Sequence, residues 1–364
     1  GYSGVIALQI LIASILPLLA MYISRYIFSR TIQVWTGVIL ALEPVSVLFS
    51  TVFYSETLAM LFFFLALLYL FNYFKERRVS HLIFSACFLG FSALTRPTVQ
   101  YLSFLVMGIL LLEAYKRTSR QMAWHAFAYG AIFLAVLSPW LYRNYVMFGK
   151  ATLSPQIGVN LYANVVPSAL SIENGTNYQI EYAALRAKGV SGPNETKVGQ
   201  DEGYTQIAFR ILLEHPRAAI LLAINTELAF FTHDGVFNVL RHIKASPDLL
   251  LGKPAVFLLF SNPEAFFGFV GYYLTKPPIF ILIARIFWYL ITALFLMGAM
   301  LHVRREGLTP YAITALCSVA YFALITLVLG FTINARYRLP VEFLIIPFAI
   351  YGFLYCKNLW RPSR

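Results

Sequence analysis

Glu56, Arg96, Arg143, Arg336 and Arg338 are the residues of this chain whose setting suggests chemistry. Arg96 stands in Thr95-Arg96-Pro97, Arg143 in Pro139-Trp140-Leu-Tyr-Arg143-Asn144, and the last two flank Tyr337 in Arg336-Tyr337-Arg338. A guanidinium stays ionised in any environment, and its forked donors match phosphate oxygens two at a time. Several converging at one leaflet would hold a lipid-linked phosphate or diphosphate. Glu56 follows Tyr54-Ser55 in a short polar break. A carboxylate at the water–membrane border can orient or deprotonate an acceptor, or ligate a divalent cation. Each group also has a plainer reading. An arginine near a helix end snorkels to headgroups, and Ser55-Glu56 reads equally well as an N-cap with an acidic first turn.

The elements that position these groups follow from composition. The chain has 364 residues, 59% of them hydrophobic and 12% charged. With a mean hydropathy of +0.70, this excludes a soluble globular domain. Apolar residues come in runs of about 17 to 25, the length that crosses ~30 Å of hydrocarbon. The runs do not alternate as barrel strands do. The fold class expected is therefore an all-α polytopic membrane protein. The net charge of +12 marks cytoplasmic loops and gives no sign of nucleic acid. Cys87, Cys317 and Cys356 fall in apolar runs without CxxC spacing, which predicts buried free thiols. The histidines show no ligand spacing, so no cofactor is indicated beyond a possible divalent cation, and its ligands are unknown.

In chain order the runs are Val5 to Phe28, Ile32 to Phe53, Thr57 to Phe74, Leu82 to Leu94, Thr98 to Leu112 and Trp124 to Tyr142. Pro278 to Leu301, Tyr311 to Phe331 and Val341 to Tyr355 complete the set. Basic clusters occupy every second loop: Arg25 and Arg30, Lys75 to Arg78, then Lys116, Arg117 and Arg120. The positive-inside rule puts these in the cytoplasm. Glu56, Arg96, Arg143, Arg336 and Arg338 then face outward, where arginine runs against the charge preference. Glu43 lies inside the second run, where a carboxylate is costly. It stands ~20 Å by helical rise from Glu56, so the two belong to separate places, and a structural hydrogen bond is expected of Glu43.

The sequence predicts a membrane helix surfacing at Ser138 to Gly149, with Trp140, Tyr142 and Tyr145 at headgroup level. Asn144 to about Gln206 reads as polar and irregular, broken at Asn160, Pro167, Gly175, Gly189, Gly192 and Pro193. It holds the sequons Asn174-Gly-Thr and Asn194-Glu-Thr, short motifs that recur by chance. Ile207 to Phe231 carries too many charges for a lipid-exposed span. It reads as an interfacial helix up to His215-Pro216, followed by a span or a second interfacial helix. The domain organisation expected is an N-terminal bundle over 1–142, an extracytoplasmic segment over 143–277 and C-terminal helices over 278–364.

The motifs together carry a resemblance. Pro44 with Tyr54-Ser55-Glu56, then Gly90-Phe-Ser-Ala-Leu-Thr-Arg96-Pro97, Pro139-Trp140-Leu-Tyr-Arg143-Asn144 and Phe148-Gly149 follow one another in order. Gly158-Val-Asn160-Leu161-Tyr162 and Arg336-Tyr337-Arg338-Leu-Pro340 continue the series. The set resembles the dolichyl-phosphate-mannose–protein mannosyltransferase-like family, the bacterial branch of the GT-C membrane glycosyltransferases that includes the aminoarabinose transferases of lipid A. The resemblance is weakest from Ile172 to Pro277. It implies transfer, with inversion, of a hexosyl or pentosyl group from a polyprenyl-phosphate donor to an extracytoplasmic lipid, glycan or protein. It also implies a bacterial inner membrane with the active face outside. Glu56 would match the acidic position of the family's second outer loop, with Arg96, Arg336 and Arg338 near the lipid phosphate. Tyr54, Tyr337 and Arg143 match as motif residues. The family's catalytic aspartate lies in its first outer loop, and this chain has no Asp before Asp201.

Two other function classes compete. A secondary transporter or lipid flippase would use an internal repeat and a midplane site, neither of which the sequence offers, although Glu43 favours it. A non-catalytic membrane assembly subunit would need none of the outer residues. Gly1 is not a start methionine, and no basic region precedes the first run. The chain is therefore expected to extend upstream by about 50 to 80 residues, one span and a loop that brings the aspartate. Orientation is the first testable expectation. Single cysteines between Asn160 and Gly203 should react with an impermeant reagent on whole cells, and cysteines replacing Arg78 or Arg120 should not. Labelling at Arg78 would reverse the orientation and remove the argument for an outer active face.

Overall fold

A computed structural model describes residues 2–154, 156–187, 201–242, 262–275 and 279–359. The described residues are mostly helical, with no strand among them. In lipid the backbone must satisfy its own polar groups, and a helix does so within one segment. Among the described residues seven helices are long and apolar enough to cross a membrane: Tyr2–Ser24, Glu56–Glu76, Pro97–Lys116, Arg120–Phe148, Leu282–Glu306, Pro310–Thr332 and Leu339–Lys357. An eighth is obtained if the bent pair Arg30–Leu42 and Pro44–Thr51 counts as one span. Only 17% of the apolar window of the first helix is buried against the rest of the described residues, which leaves a long apolar face open. The chain is an integral membrane protein.

It divides into two compact units, the first being 1–140, 290–322 and 339–364 and the second 141–289 and 323–338. The first unit begins with α1 (Tyr2–Ser24), α2 (Arg30–Leu42) and α3 (Pro44–Thr51). The run Ile32 to Phe53, expected as one helix, bends by 52° between α2 and α3. Pro44 is the cause, because it removes an N–H and opens the backbone, and it sits where that is tolerated, at the first position of α3. Glu43 repairs the break by accepting from the Ser46 N–H at 2.5 Å. The structural hydrogen bond expected of Glu43 is this cap.

Next come α4 (Glu56–Glu76), α5 (Val79–Thr95), a 3₁₀ turn at Pro97–Val99, α6 (Leu102–Lys116) and α7 (Arg120–Phe148). Tyr321 ties a later helix to the 3₁₀ turn by donating to Thr98 O at 2.6 Å. The expected exit at Ser138 to Gly149 does not break α7, which continues through Pro139 to Phe148.

The second unit corrects the picture of an irregular segment after Asn144. It contains α8 (Gln156–Asn160), a π turn at Leu161–Val165, α9 (Val166–Glu173), α10 (Tyr178–Ala187), α11 (Asp201–Glu214), α12 (Pro216–Thr232) and α13 (Val236–His242). The breakers stand at the joints and leave the helices intact: Asn160 before the π turn, Pro167 in the first turn of α9, Gly175 between α9 and α10. Gly189, Gly192, Pro193 and the Asn194 sequon lie outside the described residues. The break at His215-Pro216 falls between α11 and α12 as expected. Tyr162, Val166, Leu185 and Ala208 form one apolar cluster; Val165, Ala169, Ala218 and Leu222 form another, with Phe331 packed on it.

The chain closes with α14 (Pro263–Thr275), α15 (Ile279–Glu306), α16 (Pro310–Ile325), 3₁₀ turns at Thr326–Thr332 and Ala335–Tyr337, and α17 (Leu339–Leu359). Gly330 has φ +52, and a Cβ there would meet Ser168 Oγ at 2.8 Å, so both conformation and space require glycine. The three cysteines are free but only half-buried, since helix faces turned to lipid need not be covered by protein.

Gly298 and Gly352 let α15 and α17 approach closely: a Cβ on Gly352 would stand 2.5 Å from Leu294 O and 3.1 Å from Gly298 N. Small residues at such crossings set how closely membrane helices pack. Gly352→Ala should therefore destabilise the first unit by about 1–3 kcal/mol, because helix backbone has to move. A lowered midpoint in detergent melting checks this, and an unchanged midpoint would mean that the crossing is loose.

Candidate functional site

The site grows from the α4–α5 hairpin. Arg77, in the left-handed conformation at φ 60, ends α4 by donating its N–H to Tyr73 O at 2.8 Å, and the chain turns back. Two buried hydroxyls then fix the register of the antiparallel pair. Ser85 donates to Ala66 O at 2.8 Å, and Ser92 to Ala59 O at 2.9 Å. Phe62 packs against Phe88 and Phe91 between them. With the register set, the start of α4 lies beside the end of α5. Pro97 disfavours helical backbone in Arg96, which is extended at φ −145 and ψ 104, so α5 stops at Thr95.

Glu56 and Arg96 meet there. Arg96 Nη1 lies 2.5 Å from Glu56 Oε1, with side-chain exposures of 13% and 6%. Two opposite charges this close and this dry hold each other firmly, and removing one would leave the other costly. Ser55 takes the N-cap position of α4 but makes no side-chain cap bond. The acidic first turn is therefore engaged laterally, in the ion pair.

The turn that presents Glu56 is held from α1. Gln9, buried in an otherwise apolar helix, donates to Val52 O at 3.2 Å and to Tyr54 O at 2.9 Å. Tyr54 is half exposed, its ring 5.8 Å from Phe49. Glu56 also forms part of the wall of an apolar cavity of about 560 Å³ lined by α1, α2, α3, α4 and Leu339. Pro17, Met21, Val38, Met60 and Phe64 line it, while Ser46, Ser50 and Thr57 add hydroxyls. The first unit thus brings together one carboxylate, one guanidinium and a space with the chemistry of a lipid chain.

The other residues singled out in the sequence belong to the second unit. Arg143 is exposed, donates to Asn144 Oδ1 at 2.8 Å and lies over the Phe148 ring. Asn144 donates on to Thr152 O at 2.7 Å, so this pair shapes the chain leaving α7. Asn334 starts the 335–337 turn by accepting the Arg336 N–H at 3.1 Å. Arg336 donates to the Tyr337 hydroxyl at 2.8 Å and lies over its ring.

Arg338 is fully buried. Its Nη1 donates to Phe230 O at 2.9 Å and Phe231 O at 3.0 Å, and its Nη2 to His233 O at 2.9 Å. These carbonyls belong to the last turn of α12 and the residue after it, which lack intrahelical partners and carry partial negative charge. The guanidinium also stacks on Trp288 at 3.5 Å. Arg338 is thus a clamp on the α12 terminus, where the sequence led us to expect a phosphate ligand.

Three functional-looking residues escaped the sequence reading. Asp234 is buried and receives Arg285 Nε at 2.6 Å, Arg285 Nη2 at 2.5 Å and the Val236 N–H at 2.9 Å. Burial pushes its carboxyl up, but Arg285, His233 and the Val236 N–H together outweigh this and hold it below the usual range. His233 Nδ1 accepts the Gly235 N–H at 3.0 Å. Burial pushes the imidazole down from 6.5 to about 4, Arg285 and Arg338 acting in the same direction and Asp234 against them. A signal existed for Arg285, an ionisable residue inside the run Pro278 to Leu301. No comparable signal marked Asp234, or Gln9 in the first unit. Among the described residues no three His, Cys, Asp or Glu side chains are grouped to hold a metal.

A family model described as dolichyl-phosphate-mannose-protein mannosyltransferase matches residues 2–142, well under half of the chain. Glu56 and Arg96 fall inside the match; Arg143, Arg336, Tyr337 and Arg338 fall beyond it. No curated protein and no solved structure matches the chain. The match supports the family that the motifs resemble and, with the helical bundle, a membrane glycosyltransferase of the GT-C type.

His233 yields a prediction whose sign can be worked out. Its imidazole is neutral in the folded protein down to about 4 and charges near 6.5 when unfolded. The unfolded state therefore binds more protons between those values, and stability falls as pH drops through that window. Melting in detergent should show a lower midpoint at pH 5 than at pH 7, and His233→Asn should flatten the difference. An identical pH slope in the variant would place the titration elsewhere.

Proposed function

We propose that this protein transfers a hexosyl or pentosyl group, with inversion, from a polyprenyl-phosphate donor to an acceptor outside the cytoplasm. The observation that carries the reading is the Glu56–Arg96 pair, 2.5 Å apart at the rim of the matched hairpin, with Glu56 on the wall of the apolar cavity. A lipid-linked sugar has an apolar tail, an anionic phosphate and a polar sugar. The cavity suits the first, Arg96 the second, and a carboxylate at the boundary suits work on an incoming hydroxyl. The membrane is proposed to be the bacterial inner membrane, and the basic loops put the Arg96 end outside.

In this reading the sugar's bond to the phosphate oxygen breaks while the acceptor oxygen attacks from the opposite side. Charge then builds on the leaving phosphate, and a guanidinium fixed beforehand stabilises it without having to reorganise. Glu56 takes or orients the acceptor proton. Tyr54 borders the same turn. Arg336 and Tyr337 are proposed to contribute to donor or acceptor recognition, with Arg338 keeping their turn in place. A divalent cation at Glu56 is open to direct test.

Sugar transfer decides the matter. Protein in proteoliposomes should move radiolabelled sugar from a polyprenyl phosphate to an endogenous acceptor fraction. Glu56→Gln should lower kcat at least about 100-fold, the usual weight of a positioned acid or base. Arg96→Lys should retain part of the activity, since lysine keeps the charge and loses the fork. Chelator treatment that abolishes transfer would add the cation to the site. Lipid movement across the bilayer without any transfer would replace this function with that of a flippase.

A further inference from the structure

We propose that the donor phosphate and Glu56 compete for Arg96, so that arrival of the phosphate detaches the carboxylate and readies it for the acceptor; this rests on the donor reading above. The starting observation is that the carboxylate and the guanidinium assigned to that reaction are bound to each other, at 2.5 Å and almost without solvent. In that state Glu56 is not free to meet an acceptor hydroxyl, because its carboxylate is already bound to Arg96. A phosphate entering the same place brings a second anion to one guanidinium. Two anions cannot share a desolvated site without mutual repulsion. Phosphate can compete for the fork, since its oxygens, like those of a carboxylate, accept from it in pairs.

The geometry gives the displaced carboxylate somewhere to go. Glu56 and the Ser46 hydroxyl are on the wall of the same cavity, whereas the Ser50 and Thr57 hydroxyls already donate to Val47 O and Phe49 O. Its backbone is kept in place independently of Arg96, through the two bonds from Gln9 to the preceding turn. Arg96 is likewise anchored by the backbone that Pro97 imposes and by the Ser92 bond four residues earlier. The side chains can therefore exchange partners while the hairpin keeps its register.

The transfer step then balances. The acceptor oxygen forms a bond to the anomeric carbon, and the bond from that carbon to the phosphate oxygen breaks. The acceptor's proton passes to Glu56, and the bonding electrons leave with the lipid phosphate. That phosphate gains one negative charge and remains on Arg96. When it departs, the carboxylate loses its proton and Arg96 recovers its first partner. The carboxylate is thus held inactive whenever no donor is bound, which would protect the site from water acting as acceptor.

The test is equilibrium binding of farnesyl monophosphate to the full chain in nanodiscs, with melting curves to confirm that each variant is folded. Competition predicts that Glu56→Gln binds the prenyl phosphate about tenfold more tightly than the unsubstituted protein, because the internal anion is gone. Arg96→Gln should bind about tenfold more weakly, and the double variant should behave like Arg96→Gln, losing the gain. Glu56→Asp, which keeps the charge on a shorter arm, should fall between the unsubstituted protein and Glu56→Gln, and it serves in place of Glu56→Gln if the latter does not fold. Arg96→Lys replaces Arg96→Gln on the same ground. Unchanged or weaker binding by Glu56→Gln, with Arg96→Gln still weakened, would overturn the exchange and leave the donor reading standing. Folded protein that fails to bind farnesyl monophosphate, with or without Glu56, would overturn both.

Discussion

A carboxylate and a guanidinium that have both left water depend on each other more than on anything else nearby. That dependence governs the first unit. The Glu56–Arg96 pair forms only if α4 and α5 lie antiparallel in one register, and the serines at 85 and 92 specify that register by bonding to carbonyls of α4. A slip of one residue would break both hydroxyl bonds and bury two unpaired charges. The cost of an uncompensated buried charge is several kcal/mol, comparable with the stability of a whole domain. Ion pair and register are therefore the same constraint at this place.

The same accounting extends to every place where a helix is interrupted. Lipid offers no hydrogen bonds, so each break has to bring its own partners. At Pro44 the partner is the Glu43 carboxylate; at the 52–55 turn it is Gln9 from a neighbouring helix. In the second unit Ser168 accepts the Phe331 N–H at 3.1 Å beside the non-helical Gly330, and Arg338 serves the carbonyls that end α12. Polar residues that look misplaced in an apolar sequence are, in these cases, the repair kit of the backbone. This is why a buried polar residue in a span cannot be read as functional until its partner is known.

Much of the membrane bundle was legible in the sequence, because a run of about 20 apolar residues has few alternatives in lipid. Its helices fall close to the runs, from Tyr2–Ser24 to Leu339–Leu359. Legibility failed where polarity replaced hydropathy as the guide. The segment after Asn144 reads as loop because its breakers are frequent, yet they mark joints between short amphipathic helices whose apolar faces meet at Tyr162, Val166 and Leu185. Hydropathy averages such faces away. The pairing of Glu56 with Arg96 was also invisible, since the two lie 40 positions apart and only the hairpin register joins them. Each residue was recognisable as unusual, but what it touches is a property of packing.

Arg96 and Arg338 show what that difference means for function. Both precede a helix-initiating or turn segment, both are flanked by proline within two residues, and both are largely removed from solvent. Sequence alone gives them the same role. Arg338 faces the carbonyl end of α12, whose oxygens are fixed, neutral and permanently in need of donors, so its guanidinium has a structural partner that no ligand can replace without unravelling the helix end. Arg96 faces a carboxylate on a side chain beside a cavity, a partner that can rotate away at the cost of one ion pair. A fixed dipole makes a clamp, whereas a mobile charge makes an exchangeable contact. On that physical ground Arg96 has the exchangeable partner of the two, and Arg338 the fixed one.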